Sequence, residues 1–101
     1  MTKYILNRLA REKWIVFSWG FNSPVAIKNG LQFYVNGFIF NGIIQVIYNE
    51  ETDLFDLKFI KRNEALIPIP NVSINELIKV LDDLIEKVDN YEEKVKQEYL
   101  L

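Results

Sequence analysis

The stretch Leu31–Ile60, LQFYVNGFIFNGIIQVIYNEETDLFDLKFI, decides the fold, because three apolar runs in it are separated by turn signals. Leu31, Phe33 and Val35 alternate with Gln32, Tyr34 and Asn36, the period-two pattern that puts one set of side chains on each face of a strand. Asn-Gly occurs twice, at 36–37 and 41–42, and glycine accepts the positive φ of a bulge or a tight hairpin turn. Only Phe38, Ile39 and Phe40 separate the two pairs, too few for an ordinary strand. The pattern therefore predicts a first strand from about Leu31 to Phe40 with a bulge at Gly37, and a hairpin at Asn41-Gly42. Ile43–Tyr48 is almost continuously apolar, as expected of a central strand covered on both faces. After a polar turn over 49–53, Phe55, Leu57 and Phe59 alternate with Asp56 and Lys58 in a third strand with one wet face. Burying each large side chain of this meander is worth about 1.5–3 kcal/mol, so its apolar face has to be covered by the rest of the chain.

On the N-terminal side, Thr2 can cap a helix whose apolar positions Ile5, Leu6, Leu9 and Ala10 share one face. Trp14-Ile-Val-Phe17 then supports two readings. Its aromatic and β-branched residues suit a short strand to Trp19 after a helix ending near Lys13, which is the preferred reading, yet Leu6, Ala10, Trp14 and Phe17 also lie on one helical stripe. Residues 18–24 contain Gly20, Asn22, Ser23 and Pro24 and form a loop, with Trp19 and Phe21 closing the end of a core. Val25–Ile27 is a short edge strand before a turn at Lys28-Asn29-Gly30.

On the C-terminal side, Lys61-Arg62-Asn63-Glu64 is a charged turn, and Ala65–Pro70 (ALIPIP) is an extended connector along the sheet edge. Ser73-Ile-Asn-Glu76 matches a capping box and marks the start of the last helix. Leu77, Leu81, Leu84, Val88, Tyr91 and Val95 follow alternating spacings of four and three, a heptad seam broadened at its start by Ile74, Ile78 and Ile85. A helix from Ser73 to Tyr99 would be about 40 Å long and would overhang strands of about 20–30 Å. The overhang either pairs with a second copy through Tyr91, Val95 and Tyr99, giving a homodimer, or frays.

One domain of 101 residues is long enough for a single core, and an ordinary share of charged residues argues against extended disorder. Cysteine and histidine are both absent, which removes disulfides, thiolate nucleophiles, imidazole bases and the usual zinc sites. The basic N-terminal residues precede an apolar run too short for a signal-peptide core or a membrane span, so the sequence reads as soluble and cytoplasmic. Charge is uneven. Residues 1–48 hold five Lys/Arg and one acid, whereas residues 49–101 hold seven and thirteen. Such asymmetry suits a nucleic-acid face or a self-complementary interface, although local helix and turn chemistry produces it more often.

No catalytic or ligand signature stands out. Glu50, Glu51, Asp53 and Asp56 cluster around one turn but lack the alternating acids, central Gly and final Glu of a calcium loop, so a solvated turn is expected and no metal or cofactor. The run Gly37–Tyr48 is similar to the aromatic sheet motif of RNA-recognition domains, but it departs at Asn36 and Ile39, and the strand order differs. A curved sheet followed by one helix also resembles single-strand-binding transcriptional coactivators that dimerise through the helix. Here the sheet lacks the basic residues such a groove needs to follow phosphates. Tyr34 with Lys28, Lys58, Lys61 and Arg62 is the best remaining nucleic-acid surface.

Ser18-Trp-Gly20, Val35-Asn-Gly37 and Asp53-Leu-Phe-Asp-Leu-Lys-Phe59 resemble segments of small uncharacterised proteins carried by bacterial phages and mobile elements. The resemblance spans about the middle half of the chain and implies an accessory role in a bacterial cell, without site residues. The combined expectation is an α+β domain over 1–101: an N-terminal helix, an antiparallel meander of three to five strands, and a long C-terminal helix packed on one sheet face. Its expected role is non-catalytic, in protein interaction or self-association, with single-stranded nucleic-acid binding through the sheet face as the alternative.

Overall fold

The structure, a computed structural model, describes residues 1–86. Alternation along the central stretch becomes β2 (Gly30–Asn36), β3 (Asn41–Asn49) and β4 (Leu54–Lys61), paired antiparallel in sequence order. Register sets Leu31, Val46 and Leu57 in one row and Phe33, Ile44 and Phe59 in the next, and all six are buried. The reverse face carries Tyr34, Ile43 and Ile60 in one row and Gln32, Gln45 and Lys58 in the next.

Strand β1 (Asn22–Ile27) flanks β2, while β5 (Glu64–Ala65) and β6 (Ile69–Val72) share the outer edge of β4. Both edges are blunted by the same device. In β1, Pro24 sits in a register slip between Asn22 and Val25, with Ser23 at φ 55°. In β6, Pro70 and Asn71 (φ 62°) stand between Ile69 and Val72, opposite the single residue Asp56. Each proline removes a donor and each bulge twists the strand, so neither edge offers a regular ladder to another chain.

Helices α1 (Thr2–Ala10), α2 (Lys13–Ser18) and α3 (Leu77–Ile85) contribute to one core with the inner face of the sheet. Helix α1 buries Ile5 and Leu9, one turn apart, and α3 buries Leu77, Ile78, Leu81 and Ile85. Trp19, fully buried just after α2, links three elements. Its indole N–H donates to Asp82 Oδ1 on α3 at 2.9 Å, and its carbonyl accepts the Asn36 N–H at 2.7 Å.

Four expectations are corrected. Thr2 does not cap α1; it is the first helical residue, and its hydroxyl donates to the Gly30 carbonyl at 2.6 Å, pinning the helix to β2. Residues 14–18 are helical. Both edges of the meander are already paired, and the segment points Val16 inward while Trp14 and Phe17 remain in solvent. Strand β2 ends at Asn36 rather than Phe40, and residues 37–40 form the loop between Asn36 and its partner Asn41. Among the described residues the last helix covers Leu77–Ile85 instead of starting at Ser73, and its expected continuation to Tyr99 lies outside them. Ser73 and Glu76 do contact each other, at 2.8 and 3.2 Å, but in a turn before the helix. The self-association residues Tyr91, Val95 and Tyr99 lie outside the described residues.

One contact explains the last two corrections together. The Ile39 and Phe40 N–H groups donate to the Ile85 carbonyl at 2.8 and 3.3 Å, and the Phe38 N–H reaches Glu86 Oε2 at 3.2 Å. The loop thus spends its donors on carbonyl and carboxylate oxygens at the end of α3, which a helix C-terminus leaves unsatisfied. Gly37 permits the approach, because a Cβ there would lie 2.4 Å from the Ile85 oxygen. Burial raises the Glu86 carboxyl above its ordinary value of 4.5, and the nearby Asp82 charge adds to this, while the Phe38 N–H acts in the opposite direction.

Gly37→Ala is expected to cost about 1–3 kcal/mol by forcing loop and helix apart, read as a lowered denaturant midpoint. For Glu86, a folded-state pKa above the unfolded value means its contribution is fully present below about pH 4.5 and is lost as pH rises through the raised pKa. Glu86→Gln should therefore gain stability relative to wild type between pH 4 and pH 7; a constant difference across that range would contradict the assignment.

Candidate functional site

Strand alternation leaves the sheet face opposite the helices with a mixed lining. Ile43, Ile47 and Ile60 are half-buried there, the Gln45 amide donates to Gln32 Oε1 at 2.9 Å, and Tyr34 and Lys58 are exposed. At one corner this face deepens into a concavity of about 480 Å³, whose lining includes Tyr34, Asn41, Ile43, Ile60, Arg62 and Asn63. Lys61 and Gly42 also border it. Tyr34 stands in the same row as Ile43 and Ile60, so an aromatic ring adjoins an aliphatic floor.

The wall of the concavity is the turn between β4 and β5. Lys61 pairs with Glu64, leaving Arg62 and Asn63 as a two-residue turn with φ of 53° and 66°. Positive φ at both central positions matches the twist of a hairpin and is ordinarily met by Asn or Gly. Arginine at the first position is unfavourable, since the left-handed region costs an L-residue with a full side chain about 1–2 kcal/mol. Asn41 is positioned from the other side by its amide, which donates to Asn36 Oδ1 at 2.8 Å.

Of the five residues expected on a nucleic-acid surface, the structure gathers Tyr34, Lys61 and Arg62 at this corner. Alternation turns the Lys61 side chain away from the face of Ile60, so Lys61 borders the rim rather than the floor. Lys58 lies on the same open face one row along, opposite Gln45. Lys28 is not part of the group; it sits in the β1–β2 turn, beyond Gly30 and about 13 Å along β2 from Tyr34. Sequence reasoning missed Asn41 and Asn63, which read as turn formers, Ile43, which reads as part of a strand covered on both faces, and Ile60, to which the pattern gives no role. The pairing register Tyr34–Ile43–Ile60 was the signal that would have found them.

A second exposed surface lies on the helical side. Trp14 is 78% exposed and Phe17 62%, with their rings edge to face at 6.4 Å. Beside them a groove of about 300 Å³ is lined by Leu6, Leu9, Ala10, Val16, Phe17 and Phe21. The ammonium of Lys13 stands 5.5 Å from the Trp14 ring centre. This surface was not legible while 14–19 was read as a strand.

Tyr48 and Asp53 hold a turn. The Tyr48 phenol donates to Asp53, which closes the β3–β4 turn at φ 58°, and this hydrogen bond is the main reason its pKa is raised. A phenol held in that state is a donor and a poor base. Among the described residues no three acids gather to hold a metal, and no helix is long and apolar enough to cross a membrane. Compared with protein-family models, curated proteins and solved structures, the chain shows no match in any of the three.

Arg62→Asn relieves the turn without removing a core contact and is expected to raise stability by up to about 1 kcal/mol. Equal or lower stability in a denaturant titration would contradict the turn assignment.

Proposed function

We propose that this protein is a non-catalytic interaction module that self-associates, with the surface of α1 and α2 receiving the apolar positions of the C-terminal segment of a second copy. The observation that carries this reading is the pair Trp14 and Phe17, two large rings left in solvent beside an apolar groove. Scattered exposed apolar residues are ordinary, but contiguous exposed rings beside an apolar hollow are characteristic of interaction sites. Aromatic side chains also supply most of the anchors at protein interfaces.

Apolar spacing selects the occupant. Lys3, Arg8, Arg11 and Lys13 leave Glu12 as the single acid of residues 1–20. Residues 87–101 carry Asp89, Glu92, Glu93 and Glu98 against Lys87, Lys94 and Lys96, nearly balanced in charge, together with the apolar positions Val88, Tyr91, Val95 and Tyr99. The groove has one cation in its lining, Lys13, so the apolar side chains of such a segment, rather than its charge, would carry the pairing. Reciprocal exchange between two copies closes a two-fold dimer and makes every contact twice, which helps small surfaces reach the roughly 1,000 Å² of a stable interface. The setting we propose, an accessory role in the cytoplasm of a bacterial cell, rests on the resemblance of three phrases of sequence. All three fall in fold-building positions: the end of α2, the end of β2, and β4.

Light scattering across a concentration series is expected to give a mass that rises from the monomer to the dimer with protein concentration. Trp14→Ala combined with Phe17→Ala, and a chain ending at Glu86, should both be monomeric with unchanged circular dichroism over the sheet. A wild-type monomer at several hundred micromolar, or a dimer indifferent to the Trp14 and Phe17 changes, would overturn the proposal.

A further inference from the structure

We propose that the concavity at the Tyr34 corner of the open sheet face binds single-stranded nucleic acid, with one base stacked on Tyr34 and its phosphate held by Arg62. The site is distinct from the α1–α2 surface, because Tyr34 alternates away from the helices that cover Phe33 and Val35.

Three independent features select this ligand. First, the floor is built for a flat, partly apolar group: Tyr34 is 42% exposed and shares its row with Ile43 and Ile60. A base presents a π-face to such a platform whatever its identity. Second, the wall provides a cation beside the ring. Arg62 occupies a left-handed turn position that Asn or Gly would fill at lower cost, and strained residues of this kind cluster at ligand sites. Its guanidinium suits a phosphate in both charge and planar donor geometry. Third, Asn41 and Asn63 line the same hollow and bring amides, which both donate and accept, to the edge of a stacked base.

The same geometry limits the footprint. From the corner a strand meets Lys58 in the next row, between the uncharged Gln45 and the β4 edge, and then Asp56 in the row after that. A carboxylate there repels phosphate, so the track is only two or three nucleotides long. With two or three phosphates neutralised, binding is weak and its salt dependence shallow, with a logarithmic slope of about −1.5 to −2 for a single strand. Nothing in the hollow distinguishes ribose from deoxyribose.

The test is fluorescence anisotropy of labelled eight-nucleotide oligo-dT and oligo-U, titrated with the full chain at several salt concentrations. Tyr34→Ala is expected to lower affinity about fivefold or more, with Tyr34→Phe close to wild type. Arg62→Asn should weaken binding severalfold and make the slope shallower by about 0.7. Because that substitution suits the turn better, its loss of binding cannot be attributed to misfolding. Trp14→Ala should leave oligonucleotide binding unchanged, which separates this site from the self-association surface. A preference for oligo-U over oligo-dT would assign the natural ligand to RNA, and equal binding would leave both within the proposed class. No anisotropy change at about 0.1 mM protein in low salt, or binding indifferent to Tyr34→Ala and Arg62→Asn, would overturn the proposal.

Discussion

The Ile85 carbonyl is the point at which the two halves of this fold are fastened. It accepts from both Ile39 and Phe40, so the loop that reverses the chain between β2 and β3 also terminates the helix that covers the sheet. A helix end and a hairpin loop each carry backbone groups without local partners, and here each satisfies the other. The cost is steric: the contact needs a residue without a side chain at Gly37. From the same loop Phe40 turns inward and meets Phe59 edge to face at 5.2 Å, so the fastening is continuous with the core.

Covering one face of the sheet with three short helices leaves two surfaces of different chemistry. Along α1 and α2 the chain is basic, and aromatic rings protrude because α2 is too short to bury more than Val16 and deliver Trp19. On the open side the isoleucines of β3 and β4 are half-buried, and the Arg62 corner is concave. Both strand edges carry a proline and a bulge, so extension of the sheet by a further chain is disfavoured. Faces and grooves, rather than strand edges, are the surfaces left open to a partner.

The meander was legible because its alternation is strict: Leu31, Phe33 and Val35 against Phe55, Leu57 and Phe59 admit only one inward face. The edge path of 65–70 was legible from its prolines. What was not legible depended on partners distant in sequence. Phe38-Ile39-Phe40 looks like strand until its N–H groups are seen to be committed to Ile85 and Glu86. Trp14-Ile-Val-Phe17 reads as strand from its aromatic and β-branched residues, and the exposure of Trp14 and Phe17 follows only from their place on α2. The candidate site was half legible. Tyr34, Lys61 and Arg62 were named from composition, whereas Asn41, Ile43, Ile60 and Asn63 join them only through register and the left-handed turn.

Hydrogen exchange of the Ile39 amide tests the central claim most directly. If the loop caps α3, this amide exchanges as slowly as that of Ile44 in the middle of β3, because both open only when the sheet and its cover separate. Exchange of the Ile39 amide at the rate of an exposed loop, with Ile44 still protected, would show that sheet and helix are not joined there.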